Sequence, residues 1–192
     1  MISRLISNWV SGGSKAGVIL LLLFPILSTN WTLIESLTFL HLPAYMLHQW
    51  EEHGADRFRL FVNREIGNGL PVLSPFAVFI INVPGVWGLL SATILLTHFA
   101  HPGFALIAIW LVLINGVAHI VQAISMRRYN PGLITAVVIF LPLSILSMKE
   151  CVVTGSGTAM FQALGLGLSI AIHAAIILHI LREKRRLSAT RH

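Results

Sequence analysis

The sequence predicts an all-α integral membrane protein, a polytopic bundle of about six transmembrane helices with both termini in the cytoplasm. Its composition, its long apolar segments and the positions of its basic residues together predict this fold class. The 192 residues are 56% hydrophobic and only 10% charged, with a mean hydropathy of +0.82. A soluble domain carries about 25% charged residues. Because apolar segments fill most of the chain, we expect one transmembrane helical domain over residues 1–192.

A helix needs about 20 mainly apolar residues to cross a bilayer. The hydrophobic segments of this chain lie at about 16–29, 32–50, 76–97, 103–126, 132–147 and 158–181. The first is short and follows Lys15, as in a secretory signal, but no small-residue cleavage pattern stands near Ser28. We therefore predict an uncleaved first span. The fifth is also short, and Pro142 is expected to kink it.

The basic residues support this topology. With six spans and both ends inside, the outer loops hold only Lys149. The inner segments hold Arg4, Lys15, Arg57, Arg59, Arg64, Arg127, Arg128, Arg182, Lys184, Arg185, Arg186 and Arg191. This asymmetry follows the positive-inside rule and predicts a multi-pass protein of a bacterial-type inner or plasma membrane. Basic flanks also explain the net charge of +6, so membrane lipid rather than nucleic acid is the expected partner.

The second segment carries an unusual polar stripe. His41, Tyr45, His48 and Glu52 recur at steps of 4, 3 and 4, which places them on one helical face. Glu51 follows His48 by three residues and reaches the same region. Ionisable groups in or beside a bilayer core are costly unless they are paired or bind an ion, so they are functional candidates. We expect this face to point into the bundle.

Other segments bring polar side chains to the same depth. His119 lies eight residues before the first basic residue that follows its segment, or about 12 Å along a helix. His173 and His48 each lie nine residues before such a residue, or about 13 Å, although a loop shortens the path from His48. Asn115 shares a face with His119, and Asn82 lies near the cytoplasmic end of the third segment. A single site in the cytoplasmic half of the membrane is therefore predicted.

The motif His48-x-x-Glu51-Glu52 resembles that of the HXXEE family of small membrane proteins. The resemblance extends over about residues 40–145. It includes Leu42-Pro43-Ala44, Phe61-Val62-Asn63-Arg64, Asn82-Val83-Pro84 with Trp87, Asn115-Gly116-Val117-Ala118-His119, and Tyr129-Asn130-Pro131-Gly132-Leu133-Ile134-Thr135-Ala136. The family has no established biochemical function. The resemblance implies a membrane location and a site at His48, Glu51, Glu52, Asn115 and His119, but no reaction.

Imidazole and carboxylate ligands together suit a divalent metal such as Zn²⁺, Fe²⁺ or Mn²⁺, and Zn or Fe is the predicted cofactor. The predicted metal ligands are His48, Glu51, Glu52, His119 and His173. The residues expected to contact the substrate or to support the ligands are His53, Asn82, Asn115 and Tyr129. The alternative interpretation is a solvated helix end, with Glu51 or Glu52 paired to Arg57 or Arg59.

The leading functional hypothesis is a metal-dependent enzyme that acts on a lipid or other apolar substrate at the cytoplasmic side of the bilayer. His48, Glu51 and Glu52 are its predicted catalytic residues, one glutamate serving as general base. Hydrolysis or isomerisation is favoured slightly over oxidation because the histidines are few. The alternative is a proton- or cation-coupled transporter whose path continues through His41 to Glu35. A structural or partner-binding role is a third option, and no phosphate loop or CxxC pair supports nucleotide, flavin or nicotinamide cofactors.

Overall fold

The regular structure of the chain is helical, as predicted. A computed structural model describes residues 2–190, with side chains from residue 4 onward, and this part of the chain contains no β-strand. Its six long helices are α1 (Ile2–Leu27), α2 (Leu33–His53), α3 (Pro75–Phe99), α4 (Ala105–Met126), α5 (Leu133–Val153) and α6 (Ala159–Ala189). All of them except α2 are long and apolar enough to cross a membrane.

Helix α2 lies at the centre of the bundle. Of its 21 residues, 15 are buried, and it packs against α1, α3, α4 and α5. It begins with a capping box, in which Thr32 accepts from the Glu35 backbone N–H and the Glu35 carboxylate accepts from that of Thr32. Most of the polar side chains that lower the hydropathy of α2 are buried against the other helices.

A wide π-helical turn in α3, Ile81–Trp87, fastens that helix to α2. Pro84 lies inside the turn and cannot donate a backbone hydrogen bond, which is a common reason for such a distortion. Asn82 Oδ1 accepts from Gln49 Nε2 at 2.8 Å, and Trp87 Nε1 donates to Gln49 Oε1 at 2.6 Å. The turn thus presents two side chains to one glutamine of α2.

The connection between α2 and α3 is partly helical. Short helical stretches continue from Gly54 to Ile66. The rest of the loop is closed by Asn63, whose side chain donates to the Leu73 carbonyl at 3.1 Å and accepts from the Leu73 N–H at 2.8 Å. This closure ties the end of the helical stretch to the residues just before α3.

Three helices extend beyond the predicted hydrophobic segments. Helix α1 begins well before residue 16, because neither a proline nor a cap interrupts the polar turns that precede the apolar run. Helix α5 continues to Val153 past Pro142, which lies two residues after the end of the π-helical turn Ala136–Phe140. Helix α6 continues through its basic residues, since Lys and Arg are good helix formers.

Helices α4 and α6 pack closely at Gly165. A Cβ atom at this position would lie 2.4 Å from the Leu106 carbonyl oxygen, so the contact needs a residue without a side chain. Gly167, two residues further along α6, has no neighbouring atom within 4 Å of the same position. The two glycines form a natural pair of test and control sites.

We expect Gly165→Ala to destabilise the protein by about 1–3 kcal/mol, because the added methyl group forces α4 and α6 apart. Gly167→Ala should be neutral or stabilising by up to about 1 kcal/mol, since alanine is the better helix former. Thermal unfolding of both variants in one detergent measures the difference. Equal melting temperatures would contradict the close α4–α6 contact.

Candidate metal centre

Helices α2 and α4 bring three buried side chains to one point. His48, Glu52 and His119 each offer a ligand atom, and these atoms all lie within 4.8 Å of one another. His48 Nε2 is 3.5 Å from Glu52 Oε2, and His119 Nε2 is 3.5 Å from Glu52 Oε1. The step of four residues from His48 to Glu52 places both on one face of α2, and His119 faces them from α4.

A hydrogen-bond chain sets the proton position on His48. The Thr135 hydroxyl donates to Glu51 Oε2 at 2.5 Å, and the same hydroxyl lies 2.8 Å from His48 Nδ1. A hydroxyl has one proton to donate, so Thr135 accepts from His48 Nδ1–H. The neutral ring then carries a lone pair on Nε2, which is buried and has no hydrogen-bond partner.

Asn130 orients His119 in the same way. Its Nδ2 donates to the His119 carbonyl at 2.7 Å, which turns Oδ1 toward the ring. Oδ1 lies 2.8 Å from His119 Nδ1 and accepts its proton. The neutral His119 ring therefore also presents an Nε2 lone pair to Glu52. Metal-bound histidines are held in this way by an acceptor on their other nitrogen.

With both rings neutral, the centre of the group is rich in electron pairs and poor in protons. Two imidazole lone pairs and one carboxylate meet where water has little access, an arrangement that a cation stabilises. The two 3.5 Å separations are close to the roughly 3.3 Å between neighbouring ligands of a tetrahedral Zn²⁺ site. Two histidines and one carboxylate form a ligand set of catalytic zinc and of non-haem iron.

His53 adds a further imidazole at the edge of the group. Its Nε2 lies 3.0 Å from Glu52 Oε2, within hydrogen-bond distance. The ring packs between Trp9 and Phe58, with centroid distances of 5.2 and 5.3 Å. His53 is therefore placed to support Glu52 or to exchange a proton with it.

Gly132 lies against the rings of His48 and His119. Its backbone has a φ of +99°, in the region that favours glycine. A Cβ atom here would lie 2.7 Å from His119 Cε1 and 2.8 Å from His48 Cε1. Both the backbone conformation and the lack of room for a Cβ atom therefore require glycine at this position. The turn before α5 thus packs directly on the two imidazole rings.

Glu51 points away from this group and binds the first turn of α5. Its carboxylate accepts from the backbone N–H groups of Ile134 at 3.1 Å and Thr135 at 2.7 Å, and from the Tyr129 hydroxyl at 2.8 Å. An anion at a helix N-terminus is favourable because the first N–H groups lack intrahelical partners. Burial and the Glu51 carboxylate raise the pKa of Tyr129, so its phenol remains a donor at neutral pH.

A cavity of about 300 Å³ adjoins the group and is lined by Glu52 and His119. Most of its wall is apolar and comes from α3, α4, α6 and the segment after α2. Its polar lining residues are Tyr45, Glu52, His53, Asn82, Asn115, His119, Gln122 and His173. An apolar pocket with a few convergent polar groups is a typical binding site for a small ligand.

The family comparison agrees with this geometry. A family model described as "Protein of unknown function with HXXEE motif" matches residues 39–147, which is more than half of the chain. The chain belongs to the HXXEE family. No curated protein and no solved structure matched it. The matched region contains all three residues of the group and the turn that covers it.

The residues of the HXXEE motif thus make two different sets of contacts. His48 and Glu52 join His119, whereas Glu51, also predicted as a ligand, lies outside the group. His173 lines the cavity and donates Nδ1–H to the Ser169 carbonyl at 2.8 Å, outside the group as well.

The four supporting residues lie as follows. His53 contacts Glu52, Tyr129 contacts Glu51, Asn82 binds Gln49, and Asn115 faces the cavity. The alternative of a solvated helix end does not hold. Arg57 binds the backbone carbonyls of Gly54 and Trp50, and Arg59 binds Asp56.

Sequence reasoning missed the supporting roles of Asn130, Gly132 and Thr135. These residues lie in the turn and the first helical residues at the start of α5. The available signal was their place in the stretch 129–136 that resembles the HXXEE family. Their contacts with the two histidines could not be read from spacing along the chain.

We expect Gly132→Ala to destabilise the protein more than Gly155→Ala. Both positions have positive φ, at +99° and +69°, so each variant carries a backbone cost of about 1–2 kcal/mol. Only at Gly132 does the methyl group meet the histidine rings, adding about 1–3 kcal/mol, since Gly155 has open space around it. Melting temperatures measured side by side test this, and an equal loss in both variants would rule out the tight cover.

Proposed function

We propose that the protein is a metal-dependent membrane enzyme that acts on a lipid or other apolar substrate at the cytoplasmic side of the bilayer. The observation that carries the proposal is the convergence of His48, Glu52 and His119 at the polar end of an apolar cavity. Zn²⁺ or Fe²⁺ would be held by these three side chains. Three protein ligands leave a coordination position open toward a substrate or water.

The bound metal would polarise a substrate oxygen or lower the pKa of a water molecule. The chain supplies the rest. Thr135 and Asn130 hold the two imidazoles with Nε2 facing inward, and the apolar wall limits water at the site. His53, at 3.0 Å from Glu52, is the group best placed to carry a proton to or from the reacting atoms.

This arrangement favours hydrolysis or isomerisation over dioxygen chemistry at a di-iron centre. Di-iron bundles use carboxylates from four helices together with two histidines. Here one carboxylate and two histidines from two helices form the group, while Glu51 is engaged by α5. Such a set suits a single ion acting as a Lewis acid.

The proposal includes six crossings, with both termini in the cytoplasm of a bacterial-type inner or plasma membrane. Helix α2 would be the sixth crossing, shielded from lipid by its neighbours. This topology is supported by the basic residues, of which only Lys149, near the end of α5, would lie on the outer side. Arg191 lies outside the described residues, and the asymmetry does not depend on it.

A proton- or cation-coupled transporter is the second candidate function, since buried Glu and His groups also serve as relays. Such a path would have to continue from the site through His41 to Glu35. The cavity lining reaches Tyr45 on α2 and includes neither of these residues. His41 is fully buried, and Glu35 is paired with His98 at 2.7 Å. A cavity whose lining stops short of His41 and Glu35 favours the enzyme.

The first test is metal content. Protein purified in detergent without chelators should hold about one Zn or Fe ion per chain by elemental analysis, and His48→Ala and His119→Ala should lose it. His98→Ala is the matched control, because this histidine pairs with Glu35 rather than with the group. Wild-type protein that takes up no transition metal, even after incubation with Zn²⁺ or Fe²⁺, would refute the proposal.

The two adjacent glutamates allow a sharper test. Glu52→Gln should abolish metal binding, since it removes the ligand carboxylate. Glu51→Gln should bind metal with about 10–100-fold lower affinity, because it weakens the support of His48 through Thr135. Competition with a chelator of known affinity measures both. If Glu51→Gln lost the metal and Glu52→Gln kept it, the assigned roles would be reversed.

A further inference from the structure

We propose that the cavity beside Glu52 binds a neutral, single-chain lipid of roughly twelve carbons whose polar end carries a hydroxyl or N–H group. This inference rests on the proposed function for the reacting end of the ligand, and it adds the class of substrate. Three observations carry it: the cavity's size, an unpartnered acceptor in its wall, and the charges around it.

The size of the cavity limits the ligand. An apolar cavity of about 150 Å³ holds one benzene molecule, so about 300 Å³ holds roughly twice as many carbon atoms. A two-chain phospholipid is too large to be enclosed. Ile172, Ile176 and Ile180 of α6 provide an apolar wall for one chain. Ile177 lines the cavity and is 57% exposed on the outside of α6, so the wall reaches the apolar surface of the bundle.

The polar end of the ligand is indicated by Asn115. Its Oδ1 is buried and has no hydrogen-bond partner among the described residues. Asn115 lies four residues before His119 on the same face of α4, and both line the cavity. A buried acceptor without a donor costs free energy, and a ligand that supplies a donor recovers it. A hydroxyl or N–H group bonded to Asn115 would lie beside the metal-binding group.

The charges around the cavity favour a neutral ligand. Among the described residues of its lining, Glu52 is charged and none is Lys or Arg. In the metal-free site, a phosphate or carboxylate head would place a second anion near Glu52 and the Asn115 oxygen without a Lys or Arg side chain to pair with it. Alcohols, amides and hydroxyl-bearing esters avoid this cost.

Photolabelling of the full chain in lipid nanodiscs tests the inference. A twelve-carbon alcohol with a diazirine in its chain is compared with its methyl ether, which lacks the donor. In the wild type the alcohol should label peptides of α4 and α6 about fivefold more than the ether, as one neutral hydrogen bond predicts. Asn115→Leu should reduce this ratio to about one. Asn8→Leu, at an exposed position of α1, should leave it unchanged.

The labelling is measured with metal-stripped and metal-loaded protein, which separates this inference from the proposed function. Equal labelling by alcohol and ether, or a preference that survives Asn115→Leu, overturns the inference. Stronger labelling by the matching carboxylate in metal-stripped protein also overturns it. Selective labelling by the alcohol in a chain that binds no metal supports the inference and rejects the metal-dependent enzyme.

Discussion

The site depends on one interaction, the bond between the Glu51 carboxylate and the first turn of α5. Two backbone N–H groups at this helix start have no intrahelical partner, and the carboxylate satisfies both. The contact docks the start of α5 on α2, and this brings Thr135 to His48 and Gly132 over the rings of His48 and His119. Glu51, a motif residue outside the group of His48, Glu52 and His119, thus positions the turn that lies over that group.

Hydrogen bonds explain why the polar groups of the site are tolerated in an apolar bundle. Each histidine of the group donates its Nδ1–H to a neutral acceptor. The acceptor is Thr135 at the start of α5 for His48, and Asn130 just before α5 for His119. Both Nε2 atoms then face the carboxylate of Glu52, which also contacts His53. Two histidines oriented in this way around one carboxylate form a group that could bind a metal ion.

Much of the architecture could be predicted, because apolar run length and basic flanks report directly on helices that cross a bilayer. The stripe from His41 to Glu52 was predicted to face the bundle interior, and all four of its residues are buried. His119 was assigned to the same site from its depth and from the family resemblance, and its ring lies beside His48 and Glu52. Depth could not distinguish His173, because residues at one level can still lie on different sides of a cavity.

By itself, the sequence determined the helical class and the family, since these follow from composition and motif. Only the tertiary structure decided which glutamate joins the histidines. Glu51 and Glu52 are adjacent and chemically equal, but consecutive positions on a helix point about 100° apart, a consequence of 3.6 residues per turn. That rotation turns Glu52 toward α4 and Glu51 toward the start of α5, and no feature of the motif encodes which neighbour each one meets.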